Sequence, residues 1–157
     1  MLCRANLEKG DLILGGNSLS LEELRTIHPP AVIMLKLWQT FVENVNPLIK
    51  ILHAPTMQKR LLDYSTSLDK VAKDEEALLF GIYLTAVQSM SDFECQSLFG
   101  QTKSRSIRKY YNATKNALIR AEFMSCPGIV ILQAFSLYLV STYLLFHYSM
   151  HWIRKVI

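Results

Sequence analysis

The chain has 157 residues, enough for one domain with a real core; half are hydrophobic and 19% are charged, which excludes a disordered tail. Its net charge of +4 is mildly basic, permitting contact with nucleic acid or acidic lipid without demanding it. Three scattered cysteines, Cys3, Cys95 and Cys126, exclude a disulfide framework and a Cys-x-x-Cys metal knuckle, and favour a reducing compartment.

The N-terminal stretch MLCRANLEKGDLILGG holds no long apolar run, so no secretory signal is read there. Asp11 to Asn17 reads as a short extended piece and a turn. The Gly15-Gly16 pair is no phosphate loop, because no Lys-Ser/Thr follows it. Ser20 and Glu23 form a capping-box pattern that starts a helix ending near Ile27. His28-Pro29-Pro30 breaks that helix and launches the next. There Met34, Leu37, Trp38, Phe41, Val45 and Leu48 recur at steps of three and four, which puts them on one buried face. Pro47 is expected to end this helix, because it lacks an N–H and disfavours an α conformation at Asn46. A short extended linker to His53 follows, and Pro55 suits the first turn of a further helix.

Residues 55–73 read as one or two short helices, with Met57, Leu61, Leu62 and Tyr64 on one apolar side. Asp74, Glu75 and Glu76 place acid at a helix start, where the dipole favours it. Ala77 to Met90 is apolar almost all round, so it is the expected central helix. Gly81 in its middle costs roughly 1 kcal/mol against Ala, which the close approach of another helix would justify. Ser91 and Glu94 form a second capping box, and Gly100 is the expected glycine stop. Gln101 to Ser125 reads as a long amphipathic helix. Ile107, Tyr110, Tyr111, Thr114, Ala117, Leu118 and Ala121 face in, and Lys103, Arg105, Arg108, Lys109, Lys115 and Arg120 face mostly out. After Cys126-Pro127-Gly128, residues 129–153 carry no Asp, Glu, Lys or Arg, and Arg154-Lys155 follow directly. That length could span a bilayer, or be a buried helix of a larger all-α domain. No strand-type alternation of any length occurs. The expected fold is all-α, about six helices in an irregular array around a buried central helix.

No constellation for catalysis emerges, and the chain is read as a non-enzyme with no catalytic, cofactor-binding or metal-binding residue. His147 and His151 are four apart, but no acidic residue or third ligand lies near them. His28 and His53 sit beside prolines and are read as structural. Serines are plentiful without a Gly-x-Ser-x-Gly elbow. Asn112-Ala113-Thr114 is a glycosylation sequon, but it lies inside a helix. The basic set from Lys103 to Lys115 reads as a solvated helix face, because Tyr110 and Tyr111 turn inward and form no stacking platform.

Several blocks, in order, resemble the fungal-specific transcription factor domain, the middle homology region of fungal zinc binuclear cluster regulators. They are His28-Pro29, LWQTFVENVNPLIKILHAPT from Leu37, ALLFGIYLTAVQSMSDFEC from Ala77, ALIRAEFM from Ala117 and LQAFSLYLVS from Leu132. They cover most of the chain. The resemblance implies an all-α regulatory domain of a nuclear regulator of transcription by RNA polymerase II, of a metabolic or secondary-metabolite gene set. It implies protein partners or self-association. Zinc and DNA contact would belong to the family's N-terminal six-cysteine module, which is not in this sequence, so no cofactor is assigned to any residue. Trp38, Phe41, Asn44, Asn46 and Pro47 are expected to shape the core and the linker. The expected parts are an N-terminal segment 1–27, a partial helical domain 28–141 and a divergent apolar tail 142–157, the sequence after Ser141 departing from the family pattern. A fragment or truncated product is the reading. It leaves the helices Ala77–Met90 and 129–153 with uncovered apolar surface that favours association. The alternative is a small membrane-attached protein anchored by 129–153.

Overall fold

The computed structural model describes residues 20–124 and 128–156, with the side chains of Leu21 and of residues 148–156 excepted. Seven α-helices and no strand occur among the described residues, one helix more than the sequence suggests. The helices are α1 (Leu21–Ile27), α2 (Ala31–Thr40), α3 (Ala54–Thr66), α4 (Lys73–Ser89), α5 (Asp92–Phe99), α6 (Lys103–Arg120) and α7 (Ile129–Val156). The expected turn at Asp11–Asn17, with Gly15-Gly16, lies outside the described residues, as do Cys3, Cys126 and Pro127.

Local rules hold where local groups decide. Ser20 and Ser91 each accept from the backbone N–H three residues on, and Glu23 and Glu94 each reach back to the cap N–H at 2.7 Å. These hydrogen bonds hold both carboxyls below the usual glutamate range. Gly100 takes the left-handed conformation, φ 66°, that ends α5. Pro55 sits in the first turn of α3 as expected.

The α2 segment departs from expectation. Its α geometry ends at Thr40, and Phe41–Val45 form a π turn whose closing bond runs from the Asn46 N–H to the Phe41 carbonyl at 2.8 Å. Asn46 is in the right-handed helical region (φ −58°, ψ −33°) although Pro47 follows it, so the proline does not end the helix by the expected route. The π turn takes an extra residue, which rotates the chain beyond it. Met34, Leu37, Trp38, Phe41 and Val45 stay buried, while Leu48 swings out to 84% exposure. Leu62 is likewise exposed on α3, whereas Met57 and Leu61 are buried.

The expected helix 101–125 is shorter. It ends at Arg120 in a paired 5→2 and 6→1 motif, with the Glu122 N–H donating to Ile119 and the Phe123 N–H to Leu118. Glu122 takes φ 50° at the position that glycine usually fills, so no glycine marks this stop.

α4 is the central helix, with every residue from Glu76 to Val87 buried. It packs on α2 and its π turn, on α6 and on α7. The expectation that its apolar surface lies uncovered is therefore wrong for α4; these neighbours fill all its sides. α1 joins the same core through the fully buried Leu24. Gly81 faces α7 across a close approach: a Cβ there would lie 3.3 Å from Leu137 Cβ and 3.6 Å from the Ala134 carbonyl oxygen. A Gly81→Val chain is expected to lose about 1–3 kcal/mol in urea unfolding, because the extra methyls must push α7 away. An unchanged midpoint would show the α4–α7 contact to be looser than this.

Candidate functional site

Acidic residues at the start of α4 separate into two kinds. Asp74 and Glu75 stay near the surface, where Glu75 accepts from Arg60 at 3.2 Å. Glu76 instead points into the core with a side chain only 7% exposed. One oxygen accepts from the Arg120 guanidinium at 2.5 Å, and the other faces His28 Nε2 at 3.5 Å. The His28 ring lies flat on Phe80, centroids 4.3 Å apart, and edge-on to Tyr83. This cluster ties the α1–α2 corner to α4 and to the end of α6. Glu76 is thus more than a helix-start charge, and Arg120 does not face outward as its position in the amphipathic pattern suggests. The sequence holds no short-range signal for either, because the partners lie 44 residues apart.

The phenols nearby are held neutral: burial pushes the Tyr83 and Tyr110 hydroxyls well above the usual tyrosine range. The arrangement is a buried polar tie between three elements.

A shallow cleft of about 170 Å³ lies between the linker, α3, α4 and the start of α7, lined by Leu52, His53, Met57, Leu78, Ile129 and Gln133. Its polar groups are turned to neighbours. His53 Nδ1 meets the Thr56 hydroxyl at 2.7 Å, and Gln133 donates to the Ile51 carbonyl at 2.6 Å. His53 thus has a partner within its own turn, whereas His28 faces the distant Glu76 through Nε2 and its buried Nδ1 has no hydrogen-bond partner among the described residues.

The basic face of α6 is interrupted. Lys103 donates to the Met90 carbonyl at 2.6 Å, and Arg120 is committed to Glu76. Arg105, Arg108 and Lys109 remain exposed, with Lys109 over the Tyr110 ring. Tyr110 is buried and the Tyr111 oxygen accepts from the Tyr138 hydroxyl at 2.8 Å, so no aromatic platform accompanies the cations. Asn112 of the sequon is exposed on the helix, while Thr114 is buried and donates to the Tyr110 carbonyl.

Cys95 is buried, and burial holds its thiol above the usual range, as an inert core residue. Among the described residues, no three His, Cys, Asp or Glu side chains gather as metal ligands. These residues do not fit a two-zinc cluster. His147 is exposed beside Tyr143, and the side chain of its expected neighbour His151 lies outside the described residues.

What remains is α7. Ile131, Ala134, Leu137 and Tyr138 pack inward on α4 and α6. Ile129, Leu132, Leu139, Tyr143 and Phe146 face solvent. Over Ile129–His147 the helix is long and apolar enough to cross a membrane, with mean hydropathy 2.0. The apolar surface expected on this helix is present, but on one face only.

Comparison with known proteins places these elements. Residues 38–153 match the family described as the fungal specific transcription factor domain, a stretch that runs past Ser141 into the expected divergent tail. The chain is similar to the aurofusarin cluster transcription factor aurR2 of Gibberella zeae, 45% identical over 114 residues, 73% of this chain and 17% of that protein. It is similar to the transcriptional regulator AacuB of Aspergillus aculeatus, 35% identical over 134 residues, 85% of this chain and 18% of the relative. It is also similar to the C6 finger domain transcription factor nscR of Aspergillus fumigatus, 36% identical over 111 residues, 68% of this chain and 14% of the relative. The chain thus spans less than a fifth of the length of each. No solved structure matches it.

Proposed function

Since the chain belongs to the fungal specific transcription factor domain family, we propose that it is a non-catalytic regulatory module of a nuclear regulator of a biosynthetic gene cluster. The reading is supported by relatives named as transcription factors, one of them of the aurofusarin cluster. A single structural observation supports it: among the described residues, α7 turns Ile129, Leu132, Leu139, Tyr143 and Phe146 to solvent, an apolar helix face suited to a macromolecular partner. Contact with DNA is assigned to a zinc module outside these residues, of the kind that the name of nscR indicates. The module's own work is protein contact.

The test is transcript measurement in the source organism. Raising the level of this chain is expected to change transcripts of one co-located biosynthetic gene set, and a tagged copy is expected in the nucleus. Unchanged transcripts with the tagged copy in a carbonate-resistant membrane pellet would overturn the reading and favour membrane attachment. The length and hydropathy of α7 are the observation on that side. Against it stands the inner face of α7: inserting the helix would strip Leu137 and Ala134 from α4 and expose the core.

A further inference from the structure

Glu122 ends α6 against its own chemistry. Its φ of 50° is the one positive value at a non-glycine position among the described residues. An L side chain in that region sets its Cβ too close to a carbonyl oxygen. The carboxylate also hangs at the C-terminal, negative end of a helix, where an anion is disfavoured. No cation pairs with it among the described residues. The closing bond from the Phe123 N–H to the Leu118 carbonyl is long, at 3.4 Å. Nothing local asks for a stop at this point. Ala121, Glu122 and Met124 are good helix formers, and the first residue that must break a helix is Pro127. What imposes the stop is α7. Phe123 lies on Phe135 with ring centroids 5.0 Å apart, and Leu137 sits close against Gly81 of α4. Turning Glu122 to a helical φ of about −63° would rotate the following chain by roughly 110° and lift Phe123 off Phe135. So α6 can run on only if α7 leaves α4.

We propose that α7 is a releasable element, and that the strained stop at Glu122 is the spring that sets how readily it leaves α4. In the released state α6 continues through Met124, about 6 Å further, and Glu122 relaxes. The α4–α7 interface carries its own weak point. Gln88 donates to the Ser141 carbonyl at 3.1 Å, yet Gln88 Oε1 and the Ser141 hydroxyl are buried without a partner. Release gives both to water, which offsets part of the lost apolar contact. Opposing release are Ile131, Ala134 and Leu137, all buried, so the docked state is the major one. Release uncovers the inner face of α7 and the Gly81 side of α4 together, with no intermediate arrangement that keeps Phe123 in place. The corner is therefore a two-state element, and its bias is set by one residue. The inference concerns the inner face of α7 and is independent of the partner assigned to its outer face.

The experiment is amide hydrogen exchange of the full chain, read by mass spectrometry. Residues 131–141 of α7 are expected to exchange at least about tenfold faster than residues 77–87 of α4, because they open by release and α4 only by unfolding. Glu122→Gly removes the left-handed penalty and also weakens the extended helix. It is expected to slow exchange in α7 by about tenfold, the scale of one left-handed residue, and to change α4 by less than about threefold. Glu122→Ala keeps the left-handed penalty and favours the extended helix, so α7 is expected to exchange about twofold faster with α4 unchanged. Both variants keep the fold, because position 122 is exposed. Exchange of α7 and α4 at one rate in every variant overturns the proposal, since α7 would then leave only when the whole domain unfolds. So does a Glu122→Gly chain in which α7 keeps its rate, or in which both helices slow equally; Glu122 would then be a static cap. None of these outcomes touches the transcript test.

Discussion

Trp38→Ala is expected to lower the stability of the chain by about 3–5 kcal/mol in urea unfolding. The indole is only 5% exposed, and it stacks on Phe41 with centroids 5.7 Å apart and planes 15° from parallel. Removing it leaves a hole between α2 and α4 that cannot close easily. The π turn just beyond it fixes the register of Phe41 and Val45 by backbone bonds, so neighbouring side chains cannot slide in to fill the space. Trp38→Phe keeps part of the stack and is expected to cost less. A loss below about 1 kcal/mol for the alanine variant would mean that the indole is not a core residue.

Arg120→Met is expected to cost about 3 kcal/mol. Taking one partner from a buried ion pair leaves the other charge uncompensated, which typically costs about 3–5 kcal/mol. The lower end applies because the Arg120 side chain is 20% exposed and methionine keeps much of its packing. Glu76, at 7% exposure, would then keep the His28 ring 3.5 Å away as its facing polar neighbour. The double change Glu76→Gln with Arg120→Met separates charge from shape, because it leaves no carboxylate to strand. It is expected to recover at least half of the loss. A double variant as unstable as the single one would show that Arg120 acts through packing alone.

Both effects show how the sequence and the tertiary structure divide the problem. The two serine caps, the glycine stop at Gly100 and the proline entry at Pro55 rest on bonds within a few residues, so the sequence alone places them. The buried central helix is equally plain, because an almost uncharged run from Ala77 to Met90 has no polar side to turn to water. Even Gly81 could be read in advance: a glycine inside such a helix implies a close neighbour, and Leu137 is that neighbour. The ordered blocks that carry the family resemblance lie on these same elements.

Other features depend on contacts that no local pattern encodes. The exposure of Leu48 follows from a π turn, and the stop of α6 from a left-handed glutamate where glycine is the usual signal. Glu76 and Arg120 look like surface charges until the fold brings α4 and the end of α6 together. In residues 129–153 the sequence determines an apolar helix but not which side of it is covered, since hydrophobic residues occur all round. Only the packing of Ile131, Ala134 and Leu137 against α4 decides that, and the same packing leaves Ile129, Leu132, Leu139, Tyr143 and Phe146 in water. A side chain's hydrophobicity is its own property, whereas its burial is set by which distant residues the chain folds against it.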